Sequence, residues 1–216
     1  MKYLAVIFDL DGVLCHTDMH HYTAWKDLAD NMGIYFDEKI NNLLRGVSRM
    51  DSLEIILRKY TGPKLSPEKK EELASSKNNL YREKLEQMTP ADLPDEVARL
   101  LDFMDDKGIK KAIGSSSKNA PLILERLGIA DRFDAISDGN NISRSKPDPE
   151  VFLLAAEFLG LNPEDCLVVE DAEAGVEAAV AGGFDCAGIG DANNVETVTY
   201  KLASVGDLIE ILSHGA

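Results

Sequence analysis

With 216 residues, the chain is long enough for one sizeable core and a smaller second unit. Its 38 acidic against 23 basic residues give a net charge of −15, which argues against nucleic acid or an anionic membrane as partner, since both need a basic surface. No apolar stretch is long enough to span a bilayer, and the N-terminus lacks the basic region and long apolar core of a secretory signal, so a cytoplasmic protein is expected.

The first predicted element is a strand over Leu4–Phe8, an apolar run that ends abruptly at Asp9, Asp11 and Gly12. Short apolar runs bounded by a turn signal are strands buried on both faces. Carboxylates where such a strand meets water are costly unless a metal or a reacting group uses them. A plain Asp-Gly turn is the competing account. From about Asp18 to Met88 the signals are helical only. His21, Trp25, Leu28, Ala29 and Met32 share one helical face. Ser48-Arg49-Met50-Asp51 resembles a capping box, opening a helix through Leu53, Ile56, Leu57 and Tyr60. Ser66-Pro67 opens another, carrying Leu73, Leu80 and Leu85. This is too much helix for a single crossover. It predicts a helical bundle over 17–89, inserted into a core of 1–16 and 90–216. The bundle would be tethered at roughly Cys15–Asp18 and Thr89–Leu93 and able to open and close over a site.

Four more strands are predicted, at Lys110–Gly114, Phe133–Ser137, Cys166–Glu170 and Phe184–Ile189, and helices alternate with them. Glu96–Lys107 carries Val97, Leu100, Leu101 and Met104 at helical spacing. Pro121–Leu127 stops at Gly128. Asp148, Pro149 and Glu150 read as N-cap, first position and first turn of a helix that Gly160 closes. Ala172–Ala181 ends in Gly182-Gly183. Alternating strands and helices predict an α/β fold with a parallel sheet covered on both faces. The three cysteines, Cys15, Cys166 and Cys186, form no C-x-x-C pair and read as small packing residues.

In open parallel sheets, ligands bind outside the carboxyl ends of the strands. That rule gathers Asp9 and Asp11, the run Ser115-Ser116-Ser117-Lys118-Asn119, Ser145-Lys146-Pro147, and Glu170-Asp171 at one rim. Four carboxylates cannot sit together ionised without a cation. Oxygen ligands with no His or Cys cluster suit a hard divalent ion, Mg²⁺ first. Lys146 adds a fixed positive charge and Ser115 a hydroxyl, a set that fits a transferring phosphoryl group. Asp9 is the candidate nucleophile and Asp11 the candidate acid or base.

Asp9-Leu10-Asp11-Gly12-Val13, Ser115, Lys146-Pro147 and Glu170-Asp171 resemble, in order, the four motifs of the haloacid dehalogenase superfamily of aspartyl-phosphate enzymes. The insertion resembles the helical cap of its class I members, on a Rossmann-like core. Arg45 to Ser52, with His21, Trp25, Lys77-Asn78 and Ser117-Lys118-Asn119, resembles the sugar-phosphate mutases of that superfamily. The resemblance implies a phospho-aspartate on Asp9 that serves β-glucose 1-phosphate and glucose 6-phosphate, with β-glucose 1,6-bisphosphate as intermediate. It implies Mg²⁺ on Asp9, the Asp11 backbone carbonyl, Glu170 and Asp171, and a transferring phosphate held by Ser115 and Lys146. Arg49 would grip the distal phosphate, supported by Ser117, Lys118 and Asn119. Trp25, Gly46, Val47, Ser48, Ser52, Lys77 and Ser116 complete the implied substrate pocket. Thr17 and His21 would link substrate binding to Asp11 at the hinge. His16 and Ser116 depart from the family pattern, which often has an acidic residue and an alanine there. The expected partners are small sugar phosphates, the expected state a monomer. A phosphatase built on the same core is the alternative, with water in place of the sugar hydroxyl. Intact Asp9, Asp11, Lys146 and Asp171 argue against a non-catalytic binding module.

Overall fold

The computed structural model of the chain describes residues 2–214. Six strands form one sheet in which every pairing is parallel, in the order β3-β2-β1-β4-β5-β6. They are β1 (Ala5–Phe8), β2 (Lys110–Gly114), β3 (Ala135–Ser137), β4 (Cys166–Glu170), β5 (Asp185–Ile189) and β6 (Tyr200–Leu202). The order reverses at β1, so the crevice between β1 and β4 is the switch point at which such sheets take ligands. β1 is central and wholly buried, as an uninterrupted apolar strand must be.

Successive side chains of β1 serve opposite faces. Val6 and Phe8 join a core with α5 (Asp95–Lys107), α6 (Ala120–Arg126) and α9 (Leu208–His214). Ala5 and Ile7 join a second core with α7 (Glu150–Leu159) and α8 (Glu173–Ala181). The sheet is therefore covered on both faces. The five predicted strands and four predicted core helices are all present, most with ends shifted by one or two residues. Gly108 and Gly160 end α5 and α7 in the left-handed region, at φ 66° and 69°. Asp148 lies one place further out than expected, but its Oδ1 still accepts the Glu150 N–H at 3.0 Å.

Between β1 and α5 come four α-helices: α1 (Asp18–Asn31), α2 (Glu38–Asn42), α3 (Arg49–Leu57) and α4 (Pro67–Leu85). They enclose their own cluster, built on Trp25, Leu28, Phe36, Ile40, Leu53 and Ile56. Ser48 caps α3 by accepting from the Asp51 N–H, and Ser66 caps α4 by accepting from Lys69. α3 stops at Leu57, one turn short of the expected Tyr60. The short α2, capped by Asp37, had no legible periodicity in sequence. On α4 the buried residues are Ala74, Lys77, Tyr81 and Leu85; of the expected Leu73, Leu80 and Leu85, only Leu85 is fully buried, and Leu73 and Leu80 are half-buried. Tyr81 and Leu85 pack into the core on the β1 Val6/Phe8 side, so α4 joins the inserted helices to the sheet.

Candidate active site

Three strand ends build the floor. The Asp9 N–H donates to the Val169 carbonyl at 2.9 Å, carrying the β1–β4 pairing one residue beyond β1. This sets Asp9 beside Glu170 and Asp171, and one oxygen from each of the three carboxylates lies within 4.8 Å of the others. Lys146 stands beneath them, fully buried, with Nζ 2.5 Å from both Asp9 Oδ1 and Glu170 Oε1. Glu170 Oε2 accepts the N–H groups of Asp171 and Ala172 at 2.8 and 2.9 Å. Burial pushes the Asp9 carboxyl above its ordinary range; Lys146 pulls it back only in part, and Glu170 and Asp11 push it further up. Burial, Glu170 and Asp9 raise Asp171 well above that range. Burial opposes the Lys146 charge, but Asp9 and Glu170 outweigh it and hold its pKa above the ordinary lysine value. The buried Lys146 ammonium and an Arg45 guanidinium shared among Asp171, Asp18 and Asp191 leave the three buried carboxylates short of positive charge, and every donor is an oxygen. That donor set fits a hard divalent cation.

Two glycines make this packing possible. Gly12 turns the chain at φ 89°, and a Cβ there would lie 2.0 Å from Asp171 Oδ2. In α8, a Cβ on Gly175 would lie 1.9 Å from the Glu170 carboxyl carbon.

Asp11 is half-buried beside the cluster, and the Thr17 hydroxyl donates to its carboxylate. Burial raises its pKa, against the pull of that hydrogen bond. Its backbone carbonyl accepts no hydrogen bond among the described residues, so the expected metal contact through that atom is free to form. The expected hinge residues are near but unequal. Thr17 is fully buried behind the cavity wall, whereas His21 lines it. His21 Nδ1 lies 2.9 Å from Lys77 Nζ, and its ring stacks on Tyr81 with centroids 3.9 Å apart.

Above the floor is a cavity of about 780 Å³ between the strand ends and the inserted helices. Asp9, Asp11, Ser115 and Asp171 line its floor, while Lys146 and Glu170 lie below the accessible surface. Trp25, Gly46, Val47, Ser48, Arg49, Ser52 and Lys77 line the helical side. Ser116, Ser117, Lys118 and Asn119 line the wall after β2. Arg49 is half-buried and has no ion pair or hydrogen bond among the described residues; burial and the nearby Arg82 lower its pKa. An arginine so placed is short of an anion. Asn119 is held by its amide, donating to Asn78 Oδ1 at 2.9 Å and accepting from Arg82 at 3.3 Å. His16 is exposed and does not line the cavity. The Ser116 Oγ is buried with no hydrogen-bond partner among the described residues. All three cysteines are free and buried, and burial raises the Cys15 thiol well above its ordinary value, in keeping with a packing role.

Sequence reasoning gave Arg45 no role beyond its place in the 45–52 motif, and it assigned none to Asp18, Tyr81 or Arg82. Arg45 reaches Asp171, Asp18 and Asp191; Tyr81 stacks on His21; Arg82 bridges α4 to Asn119. Nothing in spacing singles out these side chains, because their partners lie far away in sequence.

Residues 3–183 match the haloacid dehalogenase-like hydrolase family. The chain is 41% identical, over 97% of its length and 93% of the relative's, to the beta-phosphoglucomutase of Bacillus subtilis. It is 32% identical, over 84% of its length and 82% of the relative's, to a phosphorylated carbohydrates phosphatase of Thermotoga maritima. Among solved structures, it superposes on a beta-phosphoglucomutase from Clostridium difficile with a TM-score of 0.91 and 38% identity, covering 98% of this chain and 96% of that one.

Proposed function

The chain belongs to the haloacid dehalogenase-like hydrolase family, and we propose that within it the protein is an isomerase, interconverting β-glucose 1-phosphate and glucose 6-phosphate. The carrying observation is the two-ended cavity. Carboxylates and a buried lysine lie at the floor, and an arginine without a carboxylate partner faces it from α3. A mutase needs both ends, because its bisphosphate intermediate must be held in either orientation. β-Glucose 1,6-bisphosphate also serves as the activating primer.

In this reading the Asp9 carboxylate attacks the phosphorus of the sugar phosphate, the phosphorus–oxygen bond to the sugar breaks, and Asp9 becomes the aspartyl phosphate while the freed sugar oxygen takes a proton. Lys146 and the Ser115 hydroxyl neutralise charge on the transferring oxygens. Asp11 gives up its Thr17 contact and exchanges a proton with the sugar hydroxyl on the opposite side. Asp9, the Asp11 carbonyl, Glu170 and Asp171 would hold Mg²⁺, which when bound shields the phosphoryl oxygens from the nucleophile's charge. Arg49, Ser117, Lys118 and Asn119 take the phosphate that does not react, and Trp25, Gly46, Val47, Ser48, Ser52, Lys77 and Ser116 enclose the sugar. Thr17 and His21 are the hinge contacts. Residues 17–89 act as a cap over the core, and closure excludes water. We place the enzyme in the cytoplasm as a monomer; among the described residues no helix is long and apolar enough to cross a membrane.

Hydrolysis of small sugar phosphates is the second reading, favoured by relatives at 30–32% identity that are named phosphatases. One assay separates the two. Glucose 1-phosphate, Mg²⁺ and a trace of bisphosphate should yield glucose 6-phosphate far faster than inorganic phosphate. Phosphate release without isomerisation would reject the mutase.

A further inference from the structure

Arg45 belongs to the inserted helices, between α2 and α3, yet its guanidinium is bound at the rim of the sheet. Nη2 donates to Asp171 Oδ2 at 2.6 Å and Nη1 reaches Asp191 Oδ2 at 3.2 Å, both on the core, while Nη2 also donates to Asp18 Oδ2 at 2.8 Å on the inserted α1. The three arms are unequal. The Asp171 side chain is 7% exposed, against 40% for Asp18 and 62% for Asp191, so the Asp171 arm is the least screened. Gly12 belongs to the same arrangement, since a Cβ there would meet Asp171 Oδ2 at 2.0 Å and Arg45 Nη2 at 3.3 Å. Other contacts also tie the helices to the core, such as Ser145 Oγ to Asp51 Oδ2 at 2.9 Å and Arg82 to Asn119 at 3.3 Å. Neither touches the carboxylate cluster. Arg45 does, because Asp171 is both its partner and a member of that cluster.

We propose that Arg45 is a positioning residue that couples closure of the inserted helices to occupancy of the cation site, through the single carboxylate of Asp171. Two cations that draw on one carboxylate repel each other. A divalent ion at Asp9, Glu170 and Asp171 therefore loosens the grip of Arg45, and Arg45 weakens the ion by the same factor. Without the ion, the guanidinium supplies the missing charge and holds the helices down. With it, Arg45 keeps Asp18 and Asp191 but loses its least-screened arm, and the helices open more readily for exchange of sugar phosphates. The inference rests on the reading that this cluster holds a divalent ion.

The test needs no turnover. Mn²⁺ binding is followed by electron paramagnetic resonance in the absence of sugar phosphate. The distance between helices and core is followed by energy transfer between dyes on Lys64→Cys and Phe158→Cys. Both positions are exposed, and the three native cysteines are buried. Arg45→Ala should tighten Mn²⁺ by at least about fivefold, the low end of ordinary coupling between sites. Arg45→Lys should fall between, since it keeps a charge without the fork. In the parent, added Mn²⁺ should lengthen the dye distance; in Arg45→Ala the distance should be long throughout and indifferent to the ion. Asp191→Asn removes one exposed arm, leaves the cluster intact and should shift both readouts less, in the same direction. Parental or weaker Mn²⁺ affinity in Arg45→Ala, or a dye distance that still responds to the ion, overturns the coupling. A parent that binds no Mn²⁺ overturns the cation site itself, and the two failures are distinct.

Discussion

Lys77 Nζ sits 2.9 Å from His21 Nδ1, and neither side chain has a carboxylate within hydrogen-bonding distance among the described residues. The amine is enclosed by the Trp25 and Tyr81 rings, with Nζ 4.5 and 4.7 Å from their centroids. Burial, helped by the Arg49 charge, pushes Lys77 down to about 7, and burial and the Lys77 charge hold His21 well below its ordinary value. The imidazole is therefore neutral near pH 7, with Nδ1 facing the lysine.

Lys77 should then gain a proton when an anion enters the cavity. Near pH 8, binding of glucose 6-phosphate should take up protons, read by calorimetry in buffers of different ionisation enthalpy. Lys77→Met should abolish that uptake. The linkage has a definite sign. Between about pH 7 and 10.5 the unfolded chain holds the proton that the folded protein lacks, so this group's cost to stability shrinks as pH rises. The methionine variant should be more stable than the parent at pH 7, and the gain should vanish above about pH 10.5. A gain that persists there would contradict the burial of a charged amine as its cause.

The cation cluster makes a second pH prediction. Asp9 and Asp171 have folded pKa values above the ordinary carboxylate value of 3.8, so without a metal the folded protein holds protons that the unfolded chain has lost. Metal-free stability should fall as pH rises through that window. A divalent ion competes with those protons. Saturating Mg²⁺ should therefore raise the melting temperature more at pH 8 than at pH 5. Asp9→Asn removes a charge and the nucleophile at equal size, and it should lose turnover by at least about 10³-fold while remaining folded. An increment from Mg²⁺ that is the same at both pH values would remove the carboxylates from the account.

The sheet was legible because each strand there is a short apolar run with a turn signal, and Asp9, Lys146 and Glu170-Asp171 stand at the ends of such runs or in the loops between them. The missed elements lack those signals. β6 has three residues, and its Tyr200 and Lys201 are not buried. Only the resemblance places Lys77 in the pocket, since by pattern it is one lysine among many on a polar helix; it is 2% exposed, because α4 turns its Lys77–Tyr81 edge inward against His21 and Trp25. Arg45 stands in the motif that resembles the mutases, but its role is illegible for a related reason. Its meaning lies in carboxylates 27, 126 and 146 positions away, which only the fold brings together.

Gly175 and Gly160 offer a controlled pair. A Cβ on Gly175 would meet the Glu170 carboxyl carbon at 1.9 Å, and that side chain is pinned by Lys146 and two backbone N–H groups. Gly175→Ala should cost roughly 1–3 kcal/mol of stability by overpacking and weaken Mg²⁺ binding as Glu170 shifts. Gly160→Ala meets nothing within 4 Å and should cost only about 1 kcal/mol, from its positive φ, with Mg²⁺ affinity unchanged. Denaturant midpoints and metal titrations of both variants decide the matter. Equal metal affinities would mean that Glu170 is not a ligand.

Arg49 carries the distinction between mutase and phosphatase. It is half-buried on the first turn of α3, where a cation is slightly opposed by the helix dipole, and its side chain faces the cavity without a partner among the described residues. An anion is what that position lacks. In the mutase reading it is the non-reacting phosphate of the bisphosphate, whose binding energy drives closure and excludes water from Asp9. Losing a charge-assisted fork there should cost on the order of 3 kcal/mol, about a hundredfold in mutase turnover. Arg49→Ala should spare hydrolysis of small aryl phosphates, which carry no second phosphate, and Arg49→Lys should recover only part of the loss. Steady-state rates on glucose 1-phosphate and on an aryl phosphate, compared between variants, give the answer. If Arg49→Ala isomerises glucose 1-phosphate as fast as the parent, the helices read no second phosphate and the phosphatase reading takes its place.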